Sequence, residues 1–163
     1  MAEHRALPYG VAAAVFALDR FTKWIIETKV SFLDTYRVIP GFFDIVHSQN
    51  RGVAFGLFND GASVWHTAAL VGFSLIALLV VGGMLWRPSR LERRTLWGLA
   101  LILGGAAGNV FDRIVWGRVT DFLEFYVGNL HWPTFNAADT AIVIGSGLLL
   151  LDLLRTRRQP ART

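Results

Sequence analysis

The sequence predicts an α-helical integral membrane protein: four transmembrane helices, a small β-rich platform on the outer side, and both termini in the cytoplasm. Three observations lead there. The chain of 163 residues is 53% apolar with a mean hydropathy of +0.44, above what an ordinary soluble domain carries. Residues 64–86, VWHTAALVGFSLIALLVVGGMLW, hold no ionised side chain and can cross about 30 Å of hydrocarbon at about 1.5 Å per residue. The basic residues are also segregated. Nine of the sixteen Lys and Arg lie in three places: Arg5, the connection holding Arg87, Arg90, Arg93 and Arg94, and the end with Arg155, Arg157, Arg158 and Arg162. Four spans put those places on one side, and basic loops mark the cytoplasmic side. The net charge of +4 and pI near 10.1 therefore report topology, not a nucleic-acid partner.

One membrane-embedded domain, 1–163, is expected, with spans at about 7–26, 64–86, 95–116 and 136–154 and outer segments at about 27–63 and 117–135. The first span begins with the apolar run Leu7 to Leu18. No small-residue cleavage site follows and the helical pattern continues, so it reads as a retained span, not a secretory signal. Asp19 and Lys23 then fall four apart with the acid first, the favourable order for an ion pair on a helix. They read as a structural pair that locks the span to its neighbours, with Trp24 at the interface beyond.

The outer segment 27–63 is too long for a turn. TYRVI (35–39), Pro40-Gly41 and FFDIVHS (42–48) read as a hairpin with Pro-Gly punctuation. NRGVAFGLF (50–58) follows, an apolar stretch outside the spans that could lie on lipid, with Asn50 as a polar hook. His66, near the outer end of the second span, reads as an interfacial residue. In the third span Gly104, Gly105, Ala106, Ala107 and Gly108 would let helix backbones approach closely. Asn109, Asp112 and Arg113 come next. Polar groups at the hydrocarbon edge cost several kcal/mol unless they pair or bind something, and Asp112 and Asp121 are available as counter-ions for Arg113.

FLEFYV (122–127) and LHWPTF (130–135), split by Gly128-Asn129, read as a second hairpin. Going up and back, it sets Asp121 beside Asn136. The last span begins at Asn136, a natural helix cap, and Asp139 lies one turn along the same face. Taken alone, Asp139 would be a capping acid at the helix dipole and Asp121 a surface acid. Their convergence is what points to chemistry. The two outer segments are also candidates to pair with each other. At the cytoplasmic end Asp152 has Arg155 three residues on and is expected to pair locally.

Other chemistries find little support. There is no cysteine, hence no disulfide, thiol nucleophile or thiolate metal site. Ser31, Ser48 and Ser63 have no activating motif, and the paired-histidine zinc helix and phosphate-cradling glycine loop are missing. A carboxylate pair remains. Two neighbouring carboxyls cannot both ionise easily, so one keeps a proton while the other can activate water. A proton-coupled transporter is the rival reading, disfavoured because both acids sit at one face and no internal repeat is visible. A second rival, an assembly factor, would make all these polar groups structural.

Five motifs now add to this. Asp19-Arg20-Phe21-Thr22-Lys23 looks like a DxxTK element, and Asn50 to Gly56 like NxGxAFG. Gly104 to Arg113, ending GNVFDR, Val119 to Phe122 and Phe135 to Asp139 complete the series. In this order and spacing they resemble the bacterial lipoprotein signal peptidases, or signal peptidase II, over nearly the whole chain. The resemblance implies an aspartic endopeptidase of the bacterial inner membrane with four helices and a periplasmic β-rich platform. Its substrate would be a diacylglyceryl-modified prolipoprotein, cut on the N-terminal side of the lipidated cysteine. Catalytic roles carry over to Asp121 and Asp139. Substrate contacts carry over to Asn50, Gly52, Asn109, Arg113 and Asn136, with Asp112 supporting. No metal or organic cofactor is implied. The expected partners are the prolipoprotein and membrane lipid, with no nucleic acid, and the chain is expected to be a monomer.

Overall fold

The computed structural model describes residues 3–51, 64–86 and 91–158. Along them run α1 (Glu3–Lys29), β1 (Thr35–Ile39), β2 (Phe43–Asn50), α2 (Val64–Leu85), α3 (Arg93–Trp116), β3 (Val119–Val127), β4 (Leu130–His131) and α4 (Ala137–Arg158). Gly52, the rest of the apolar stretch after Arg51, and the His66 side chain lie outside what is described.

Three helices, α2, α3 and α4, are long and apolar enough to cross a membrane. Helix α1 is as long, at 27 residues, but Asp19, Arg20, Lys23 and Glu27 interrupt its apolar surface. Two of these, Asp19 and Lys23, are 0% exposed, so α1 turns charge inward onto its neighbours while Leu18, Phe21 and Trp24 face out.

Helix α3 is the hub, and the small residues in its middle explain how. A Cβ on Gly105 would collide with the Ala138 carbonyl of α4, and one on Gly104 with the Ala12 carbonyl of α1. Backbones this close leave no room for a methyl group, so the glycines set the α1–α3–α4 spacing. A Cβ on Gly98, nearer the other end, would sit 2.7 Å from the Gly145 carbonyl. Thr95 Oγ1 donates to Asp152 there, tying α3 to α4. Helix α2 packs more lightly. Tyr9 donates to its Gly82 carbonyl at 2.8 Å, while Phe73, Ile76 and Leu79 are exposed.

The strands form one antiparallel sheet in the order β1-β2-β3-β4. The β1–β2 turn follows from Pro40-Gly41. Phe42 N–H donates to Ile39 O at 3.0 Å, and Gly41 at φ 79° takes the left-handed position of a type II turn after proline. Pairing of β2 with β3 joins the two outer segments, with Ser48 opposite Asp121 and Asn50 opposite Val119. The second hairpin turns at Gly128, φ 59°. Its return strand is shorter than the six residues expected. Trp132 N–H still donates to Phe125 O at 2.8 Å, but Pro133 has no N–H to give, so the pairing breaks there and resumes at the Leu123–Phe135 bridge. That bridge still delivers the chain to Asn136. Phe43, Phe125 and Phe135 stack beneath it, at 4.7 and 5.8 Å between ring centroids.

Candidate active site

The site is assembled where β3 and the start of α4 meet the C-terminal half of α3. Asn136 caps α4: its Oδ1 accepts the Asp139 N–H at 3.0 Å, and Asp139 Oδ2 accepts the Asn136 N–H at 3.3 Å. This reciprocal pair is a capping box, so the structural reading of Asp139 holds for one of its oxygens. The other, Oδ1, accepts from Asn109 Nδ2 at 2.7 Å.

Asp121 enters from the opposite side. It is buried, 2% exposed, and its oxygens accept from two amides: Asn136 Nδ2 to Oδ1 at 2.6 Å and Asn50 Nδ2 to Oδ2 at 3.2 Å. Asn136 therefore touches both acids, and the hairpin brings Asp121 and Asp139 to one place as the sequence suggested. The Asp121 carboxyl is pushed up to about 6, chiefly by burial and next by the charge of Asp139. The Asn50 and Asn136 hydrogen bonds and the Lys23 charge pull it the other way without cancelling the rise. A carboxyl that keeps its proton beside another carboxyl is chemically able to protonate a leaving group while its neighbour activates water.

Behind the acids lies a buried charge cluster. Lys23 Nζ reaches Asp19 Oδ2 at 2.8 Å, Asp112 Oδ2 at 2.7 Å and Asn109 Oδ1 at 2.9 Å. Two of these contacts, to Asp19 and Asn109, are hydrogen bonds. The third is a close charge contact with Asp112, whose Oδ2 lies at 2.7 Å without hydrogen-bond geometry, so the buried ammonium is paired on every side its neighbours allow. Asp19 uses its other oxygen to accept the Ala138 N–H at 2.9 Å, placing a carboxylate at the N-terminus of α4. The expected Asp19–Lys23 pair is present and does more than lock α1. By taking the Asn109 oxygen, Lys23 turns the Asn109 amide nitrogen toward Asp139.

Two expectations change. Asp112 is buried and engaged by Lys23 and Arg20, so it belongs to the cluster on the α1 side. It makes no hydrogen bond or ion pair with Arg113, although its charge, after those of Asp139 and Asp121, still acts on that guanidinium. The Arg113 guanidinium donates to the Asn109 carbonyl at 3.3 Å, and its buried Nε has no partner among the described residues. Arg20 and Glu27 were not singled out from the sequence. Arg20 pairs with Asp112 and lies 3.7 Å from Glu27, whose other oxygen accepts from Thr120 at 2.7 Å. The available signal was spacing, since Arg20, Lys23 and Glu27 recur at three and four residues on one helical face. Among the described residues no group of three or more acids and histidines is placed to hold a metal ion.

Comparison with known proteins matches residues 11–155 to the family model described as signal peptidase (SPase) II. The lipoprotein signal peptidase of Solibacter usitatus is 62% identical over 161 residues, covering 99% of this chain and 98% of the relative. That of Maridesulfovibrio salexigens is 37% identical over 147 residues, covering 90% and 94%. Among solved structures, a bacterial membrane enzyme determined by the in meso method at 2.3 Å resolution superposes with a TM-score of 0.84 at 26% identity, covering 97% of this chain and 93% of that one. A second, at 1.9 Å resolution, gives 0.78 at 28% identity, covering 91% and 93%.

Proposed function

The chain belongs to the signal peptidase II family, and from that premise we propose that it is an aspartic endopeptidase that removes signal peptides from diacylglyceryl-modified prolipoproteins. The bond cut is the one on the N-terminal side of the lipidated cysteine. The observation that carries this reading is the pairing of Asp121 with Asp139 through Asn136, one acid raised toward neutrality by burial and by the other's charge.

In this mechanism the pair shares one proton. The ionised carboxylate takes a proton from water as that water attacks the scissile carbonyl. The protonated carboxyl supports the developing oxyanion and then protonates the departing amine. The shared proton belongs to the pair and is assigned to neither acid. Asn50, Asn109 and Asn136 hold the carboxylates in register. Arg113, whose Nε has no hydrogen-bond partner among the described residues, supplies a cation for substrate carbonyls. Gly52 and Asp112 complete the substrate-binding set, Asp112 by fixing α3 to α1.

The enzyme works in the bacterial inner membrane as a monomer, with α1 as the fourth span and the acids at the periplasmic face. There a lipid-anchored cysteine presents its scissile bond near the headgroups. The test is incubation of the purified protein with one precursor in lipidated and unlipidated forms, the products read by mass spectrometry. Cleavage of the lipidated form alone, immediately before the cysteine, is expected. Equal cleavage of both forms, or a cut elsewhere, would overturn the substrate assignment.

A further inference from the structure

A cavity of about 210 Å³ opens on the other flank of the molecule, lined in part by Glu27, Phe32, Gln49, Trp116, Arg118 and Thr120. It is separate from the aspartate pair. Thr120 and Asp121 are consecutive in β3, so their side chains leave opposite faces of the strand. Thr120 reaches Glu27 of α1, and Asp121 reaches Asn136.

Three features describe what would fit. The cavity lies at the level where α3 ends: Gly117, in the left-handed conformation at φ 66°, closes the helix on Arg113 O, and Arg118 follows. Below it the outer turns of α1 and α3 present Phe21, Trp24, Val115 and Trp116 outward, the composition of a lipid-facing belt. The Arg118 guanidinium makes no hydrogen bond or ion pair among the described residues. Glu27, by contrast, is held in place by Thr120 and Arg20, and Arg20 itself lies 4.4 Å over the Trp116 ring. One wall thus offers an uncommitted cation whose planar fork matches a phosphate. Glu27, lining the same cavity, offers a fixed carboxylate that accepts from a donor.

We propose that this cavity holds the headgroup of a membrane phospholipid, with Arg118 on the phosphodiester and Glu27 on a hydrogen-bond donor at the headgroup's far end. The acyl chains run down the outward faces of Val115 and Trp116. The volume admits a small headgroup and leaves the chains outside. The site is independent of peptide cleavage and would stand if the cleavage reading fell.

The test uses the full chain, delipidated in detergent and titrated with dihexanoyl phosphatidylethanolamine, dihexanoyl phosphatidylcholine, dihexanoylglycerol and inorganic phosphate, with bound species counted by native mass spectrometry. Phosphatidylethanolamine should bind about tenfold more tightly than phosphatidylcholine, whose headgroup has no donor for Glu27. Arg118→Gln should weaken phosphatidylethanolamine by about tenfold, while Arg37→Gln, at an exposed arginine of β1, leaves it unchanged. Glu27→Gln, which keeps the Thr120 bond, should erase the preference over phosphatidylcholine. Melting temperatures taken in parallel identify any variant that does not fold, and Arg118→Gln alone suffices if Glu27→Gln fails. Equal binding by Arg118→Gln and the unaltered chain would overturn the proposal. So would equal binding of dihexanoylglycerol, or inorganic phosphate binding as tightly as the phospholipid.

Discussion

Asp121 illustrates how one carboxyl acquires a role its sequence position does not announce. As a lone acid at the start of a strand it would be solvated. Folded, it is nearly inaccessible and faces a second acid, and burial and that neighbouring charge push its carboxyl up to about 6. The sign of the consequence follows. In the proposed mechanism the pair carries one proton and is competent below about pH 6, and above it the general acid is lost. The value of kcat/KM should therefore fall as pH rises through about 6 in the free enzyme. Because bound substrate excludes more water, the alkaline limb of kcat should lie at higher pH than that of kcat/KM. Steady-state profiles over pH 4 to 9 check this, and a kcat/KM that stays flat from pH 5 to 8 would contradict it. The same group lowers stability as pH rises from about 4 toward 6, because the folded chain holds a proton that the unfolded one has released.

At the scale of elements, what was legible in the sequence is local and what was not is long-range. TYRVI formed β1 as read, and Pro40-Gly41 made the turn because both residues are restricted in the sense the turn needs. The glycine run of α3 packed as expected because backbone contact in lipid asks for small side chains. The β4 strand was overestimated, since the run looked β-prone while Pro133 stopped its ladder. Missing altogether was the bridge from Lys23 through Asn109 to Asp139, because its members come from three helices and no spacing rule links them. Nor could sequence say that Asp112 would make its ion pair with Arg20, 92 residues away, and not with Arg113. The tightest test of the helix packing is Gly108, where a Cβ would strike the Asp19 carboxylate. Gly108→Ala should destabilise the fold by roughly 1–3 kcal/mol through overpacking and lower its melting temperature in detergent. Gly147→Ala, where nothing lies within 4 Å, should be neutral or slightly stabilising, since alanine is the better helix former. Equal melting temperatures for the two variants would mean the α1–α3 contact is looser than described.

For the whole molecule, charge distribution sets orientation. Basic residues gather at the ends of helices on one side, and the sheet with the acid pair occupies the other end of α3. The absence of cysteine makes a direct check simple. In intact cells Asn129→Cys, in the turn between β3 and β4, should react with a membrane-impermeant maleimide. Thr163→Cys should react only after the cells are opened. Labelling of Thr163→Cys in intact cells would reverse the proposed topology or remove one of the four proposed spans. The fold class could be read early because hydropathy and positive charge are summed over many residues. The site could be read only as a convergence, and its substrate only through resemblance to a family.

The central claim is that Asp121 and Asp139 act together on a peptide bond at the membrane border, and the most direct measurement is cleavage of a lipidated precursor by Asp121→Asn and Asp139→Asn. Each change preserves shape and most hydrogen bonds, so melting temperatures should stay close to that of the unaltered protein, while kcat falls by roughly 10²–10⁴-fold. A folded variant of either kind that cleaves at the full rate would contradict the claim.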